Sequence, residues 1–151
     1  MKEEIKVLVI EKETSIAHSI QKAVKLADGE SIFASEKQDA LEIARKEKPN
    51  LIILGYLAPR GESFRLHEEL KENPETKNIP LLIVDVAPEE QPAKGWIKDE
   101  GMRMNAEDYV HQPISPRELA QRVEKLIPQK RTSVNSASPK ENDAVKGLVA
   151  A

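Results

Sequence analysis

Chemistry-bearing residues gather where apolar runs stop. Glu11 and Lys12 follow the run ending at Ile10, Gly55 follows Leu54, Asp85 closes the run Ile79–Val84, and His111 and Gln112 follow Val110. Glu11 and Asp85 supply negative charge, Lys12 can neutralise it, Gln112 supplies only an amide, and Gly55 offers no side chain. No Gly-rich phosphate loop, Ser-His-Asp arrangement or paired catalytic carboxylate is present. His18, His67 and His111 fall on three different elements without the spacing of metal ligands, which assigns them to surface or packing. Arg60-Gly61-Glu62 and Asp99-Glu100 read as solvated charges. With no cysteine there is neither a disulfide nor thiolate chemistry.

The elements that must carry these positions alternate. Ile5–Ile10 is a β-branched-rich run, and Ile16, Ile20 and Val24 then recur at four-residue spacing on a helix ended by Asp28-Gly29. Ser31–Ala34 is a short second strand, with Ser35 placed to cap a helix that buries Ala40, Leu41 and Ala44 and stops before Pro49. Asn50–Leu54 is a third strand, followed by a helix carrying Phe64, Leu66 and Leu70. Ile79–Asp85 is a fourth strand, apolar on both faces, and Tyr109–His111 a fifth. Ser115-Pro116-Arg117-Glu118 opens the last helix with a cap and a proline suited to the first turn. This alternation predicts a doubly wound α/β fold, a (βα)5 flavodoxin-like parallel sheet in the order 2-1-3-4-5 with helices on both faces. Ligands of such sheets bind beyond the carboxyl ends of the strands, where the positions above lie.

The chain has 151 residues, 39% of them hydrophobic and 32% charged, with a net charge of −3. That composition predicts one well-solvated domain over residues 1–128 and a disordered tail over 129–151, whose last residues, Ala144–Ala151, are slightly apolar. No basic footprint for nucleic acid exists, no run is long enough to cross a bilayer, and a cytoplasmic home is expected.

Four stretches resemble response-regulator receiver domains: Val7–Glu13, Leu51–Pro59, Ile79–Asp85 and Asn105–Pro113. The resemblance covers residues 5 to 127, with about five extra residues between Asp85 and Gln112. Family members phosphorylate an aspartate at the position of Gly55. The resemblance implies that Glu11 replaces the first acid of the family's metal-binding pair and Lys12 the second. It also implies that Asp85 replaces a Thr or Ser hydroxyl that bonds the phosphoryl group, and that Gln112, before the retained Pro113, replaces a charge-neutralising lysine. Divalent cations want several oxygens, and phosphoryl transfer depends on positioning and charge neutralisation. Loss of Mg²⁺ binding and of phosphorylation is therefore expected, with no cofactor and no enzymatic activity.

Lys12 is expected to pair with Asp85 or Glu11 and prop the pocket shut. Tyr109 aligns with the aromatic that turns inward when the family's Thr or Ser engages phosphate; it either bonds Asp85 or is an ordinary half-buried tyrosine. Trp96 lies in the irregular stretch Pro88–Trp96, before a helix expected over Trp96–Met104. It is either an interface anchor or a cover for the core. The surface around Trp96, Tyr109 and Arg122 is the expected working face. The function implied is a stand-alone, non-catalytic pseudo-receiver of two-component-type signalling. It would act as a phosphorylation-independent adaptor for a protein partner, such as a signalling protein or kinase-array component, and would dimerise weakly through the same face. The alternative is a pocket that binds a small ligand or takes phosphate at Asp85.

Overall fold

Alternate residues of each inner strand serve opposite faces of one sheet. Val7 and Val9 of β1 (Lys6–Ile10) join Leu51 and Ile53 of β3 (Leu51–Leu54) and Leu82 and Val84 of β4 (Leu81–Asp85) on one side, while Leu8, Ile10, Ile52, Leu54 and Ile83 line the other. Burial on both faces is why these strands read as continuous apolar runs. The computed structural model describes residues 4–127. Its sheet is parallel throughout, in the order β2-β1-β3-β4-β5, with β2 at Glu30–Ala34 and β5 at Asp108–His111. This is the expected topology. The expected tail over residues 129–151 lies outside the described residues.

Two helices cover each face. Helix α1 (Thr14–Leu26) packs Ile20, Ala23 and Val24, and α6 (Pro116–Leu126) packs Leu119, Ala120 and Val123, against the face of Val7 and Val9. Helices α2 (Lys37–Glu47) and α3 (Glu62–Glu72) set Ala40, Leu41, Ala44, Leu66 and Leu70 against the other. Ser115 caps α6 by accepting from Glu118 N–H (3.1 Å). Ser35 does not cap α2; Glu36 holds that position without a side-chain bond.

The stretch after β4 departs from expectation. The helix expected over Trp96–Met104 is present as the shorter α5 (Lys98–Met102), but a further short piece, α4 (Gln91–Lys94), forms in the stretch expected to be irregular. Pro92 falls in the first turn of α4, where its missing N–H removes no helical bond. Extended backbone at Gly95 and Ile97 then breaks the path, and Glu100 reaches back to accept from Ile97 N–H (3.0 Å) at the start of α5.

Parallel register brings the strand ends into line. Ile10 pairs with Leu54, Leu54 with Ile83, and Asp85 with His111. Glu11, Gly55, Asp85 and Gln112 therefore share one edge of the molecule.

Candidate functional site

Glu11 turns its side chain back over the end of β3. Only 5% exposed, its Oε1 accepts from Tyr56 N–H (3.0 Å) and its Oε2 from Glu13 N–H (2.9 Å). A Cβ placed on Gly55 runs into Glu11 Oε1, so a larger residue there would have to push the Glu11 carboxyl off its backbone donors. Burial pushes the Glu11 carboxyl up to about 7, helped by the nearby charge of Glu13 and opposed by the backbone N–H donors.

The expected Lys12 pair is not formed. Lys12 is exposed, its backbone N–H donates to Tyr56 O (2.8 Å), and its ammonium makes no ion pair among the described residues. Successive residues leaving a strand point to opposite sides, so Glu11 inside places Lys12 outside. The cation at the cleft is Lys94, from the end of α4. Its Nζ lies 3.8 Å from Glu13 Oε2 and 5.3 Å from the centroid of the Tyr56 ring. The cleft itself, about 140 Å³, is bordered by Glu11, Tyr56, Asp85, Glu90, Lys94 and Gln112. Gln112 also donates its backbone N–H to Asp85 O (3.0 Å).

Asp85, 4% exposed, is a junction. Oδ1 accepts from Val86 N–H (2.8 Å), while Oδ2 accepts from Tyr109 O–H (2.7 Å), Gln91 Nε2 (3.3 Å) and Trp96 N–H (3.3 Å). Of the two states that the sequence leaves open for Tyr109, the bonded one is observed. Burial, together with the neighbouring carboxylate, pushes its phenol well above the ordinary range. Against the alternative of Asp85 as a substitute phosphoacceptor stands this geometry: both oxygens are engaged and almost no surface is open to an incoming phosphoryl group.

Trp96 is not a free anchor. Its ring meets Phe64 edge-on (5.6 Å between centroids, 84°) and His67 (5.3 Å, 71°), covering the core beside α3. Buried His67 faces Phe64 O with Nδ1 (3.2 Å) and accepts from Asn105 N–H with Nε2 (2.8 Å). Desolvation holds its pKa below the usual histidine value. Arg122 is also committed, donating Nη1 to both oxygens of Asp108 (2.9 and 2.8 Å). Large apolar side chains that remain outside on this part of the molecule are Ile97, Met102 and, in part, Tyr109.

Arg60 was misread as a solvated charge. Its guanidinium donates to three carbonyls, Gly95 O (2.9 Å), Pro92 O (2.7 Å) and Gln91 O (3.1 Å). Neither this contact nor that of Lys94 has a local signature, since both depend on where the segment after β4 travels.

The Mg²⁺ implied by the family does not fit these residues. Glu11 spends its oxygens on backbone N–H groups, Lys12 brings an ammonium, and Gly55 brings no oxygen. Among the described residues no group of three or more His, Cys, Asp or Glu is placed to hold a metal ion. No described helix is long and apolar enough to cross a membrane.

Comparison with known proteins gives the fold directly. The chemotaxis response regulator CheY4 of Vibrio cholerae superposes with a TM-score of 0.68 at 21% identity, over 83% of this chain and all of that one (100%). The receiver domain of AraT, a response regulator of Geobacillus stearothermophilus, gives 0.66 at 20%, over 82% and 93%. In sequence, the alkaline phosphatase synthesis transcriptional regulatory protein PhoP of Bacillus subtilis is 29% identical over 144 residues, 95% of this chain and 57% of that protein. The phosphate regulon transcriptional regulatory protein PhoB of Pseudomonas aeruginosa is 30% identical over 121 residues, 80% and 51%. The chain spans about half the length of the curated relatives it matches. No family model matches it. Homologues and structural neighbours together support the response-regulator receiver family.

Proposed function

We propose that this receiver-type domain signals without phosphoryl transfer, by presenting a preset face to a protein partner. The observation that carries the reading is the 2.7 Å bond from Tyr109 O–H to Asp85 Oδ2. In the family the corresponding aromatic turns inward when a hydroxyl at the position of Asp85 engages phosphate. Here a permanent carboxylate occupies that position and takes the phenol itself. A charge-assisted bond of this kind contributes about 1.5–3 kcal/mol, enough to bias a side-chain rotamer strongly. On the opposite side of the edge, Glu11 fills the space of the missing aspartate.

The proposed role is an adaptor's: no reaction is catalysed, no metal or nucleotide is held, and the location is cytoplasmic. The transcriptional roles named for the relatives belong to proteins about twice the length of this stretch. With a net charge of −3, nucleic-acid contact is not assigned to it. The face presented is built from Ile97, Met102 and Tyr109, with Arg122 anchored beside it. A second copy or a signalling protein is the kind of partner that such a patch of separate apolar side chains suits.

Acetyl phosphate with Mg²⁺, followed by intact-mass spectrometry, tests the first half. The expected result is no labile phosphoryl adduct, and an adduct would overturn the reading. For the second half, partner capture by the wild type is compared with Asp85→Asn and Met102→Glu. Capture that ignores acetyl phosphate but drops about tenfold in both variants is expected; capture that needs acetyl phosphate contradicts it.

A further inference from the structure

A second cleft lies on the other side of β1, towards the edge strand β2. It measures about 340 Å³, within the size range of small-molecule sites, roughly 300–1,000 Å³. Glu11 borders both clefts, but its two oxygens are spent on backbone N–H groups. The other polar side chains here are Lys12, Thr14, His18, Ser35 and Asp39, from the loop after β1, α1 and the start of α2. None of the five makes a side-chain hydrogen bond or ion pair among the described residues. The cleft beside β3 is the opposite case, since Glu11, Asp85 and Lys94 all have protein partners there.

Charge and shape together narrow the ligand chemistry. Lys12 and Asp39 carry opposite charges and border one cleft, yet they do not pair with each other. An anion would satisfy Lys12 but face Asp39, and a cation would satisfy Asp39 but face Lys12. A zwitterion satisfies both. The only large apolar side chain at the cleft is Phe33, whose place on the edge strand leaves it 42% exposed. A planar group stacked on that ring would bury apolar surface on both partners.

From the two unpaired charges and the open ring we propose that this cleft binds a free α-amino acid with an aromatic side chain. Lys12 takes the carboxylate, Asp39 the ammonium and Phe33 the ring. The hydroxyls of Thr14 and Ser35 serve the ligand atoms that a single partner leaves unfilled. A peptide end does not fit the same pattern, because its two termini are separated and each brings one charge only. The site is independent of Tyr109 and of the partner-binding face, so it goes beyond the adaptor reading.

Titration of the ¹⁵N-labelled full chain with phenylalanine and with tryptophan, followed by amide chemical shift, tests the assignment. At least one is expected to give saturable shifts centred on residues 12–18 and 33–39, with a Kd of about 1 mM or tighter. Phenylethylamine lacks the carboxylate, phenylpropionate lacks the ammonium and glycine lacks the ring; each should bind about tenfold more weakly. Lys12→Met should weaken the amino acid about tenfold yet leave phenylethylamine no weaker, and Asp39→Asn should do the same with phenylpropionate. Phe33→Ala should weaken both amino acids and leave glycine unaffected. Absence of saturable shifts with either amino acid overturns the proposal, as do shifts centred elsewhere. Truncated ligands that bind as tightly as the amino acid overturn it too. Should a variant lose its fold, the ligand series on the wild type decides the question alone.

Discussion

Two buried carboxylates stand at the same edge of the sheet, Glu11 at 5% exposure and Asp85 at 4%, and they are used in opposite ways. Glu11 holds only nearby main chain, the N–H groups of Glu13 and Tyr56, and its bulk fills the space over Gly55. Asp85 holds three separate pieces of the molecule: its own strand end, the segment of α4 and Trp96, and β5 through Tyr109. One carboxylate fills a local space; the other gathers a surface. The difference teaches that two acids at one sheet edge can carry separate structural tasks, because each rests on a different pair of strands.

The strongest way to break this comparison is to force an acid back between β1 and β3. Gly55→Asp collides with Glu11 and adds a second buried carboxylate, and is expected to lose about 4 kcal/mol of stability in urea. Removing the obstacle with Glu11→Ala in the same chain should recover part of that loss. If Gly55→Asp unfolds at the wild-type urea concentration, the space is not filled.

Proton linkage comes next in size. Glu11 binds its proton more tightly in the folded chain, at about 7, than at its ordinary 4.5. Its stabilising contribution is therefore complete below pH 4.5 and is lost as the pH rises through about 7. A shift of that extent corresponds to roughly 3 kcal/mol. Relative to Glu11→Gln, the wild type should weaken between those two values. His67 works the other way: its depressed pKa makes its contribution complete above 6.5 and lost as the pH falls below that. Urea titrations of wild type, Glu11→Gln and His67→Leu should separate the two slopes by sign, and a flat difference for Glu11→Gln would remove the burial argument.

A smaller effect sharpens the Asp85 side. Trp96→Ala empties a half-buried aromatic cluster and should cost about 2 kcal/mol while preserving helix content by circular dichroism. An unchanged melting temperature would return Trp96 to the role of a free anchor. The smallest effect belongs to Tyr109→Phe, about 1.5 kcal/mol for one charge-assisted hydrogen bond. Combined with Asp85→Asn it should fall short of the sum of the two single losses, since both act on one oxygen.

Much of this fold was legible in the residue order. The inner strands announce themselves as uninterrupted apolar runs because both faces are covered, and Ile20 with Val24, or Leu119 with Val123, mark the inward stripes of α1 and α6. The Asp85–Tyr109 bond was legible only as one of two alternatives, and only through the receiver resemblance that sets Asp85 and Tyr109 on neighbouring strand ends. Charge balance alone puts Lys12 in the pocket, but strand alternation sends it outward once Glu11 is inside. Arg60 and Lys94 were missed for a different reason. Their partners lie on a segment whose course depends on Pro92, Gly95 and the aromatic contacts of Trp96, and no period along the chain encodes such a path.

The contact between Glu11 and Gly55 also bears on what mutation can undo. A glycine codon ending in a pyrimidine becomes an aspartate codon through a single base change, so an acid at position 55 is one step away on paper. With Glu11 folded over Gly55, that step brings a second carboxylate against the Glu11 side chain and is expected to cost stability. Replacing Glu11 first strips Tyr56 and Glu13 of their acceptor, so the other order is also uphill. Both single changes are expected to cost stability. The pair acts as a mutual lock, in which each residue makes the other costly to replace.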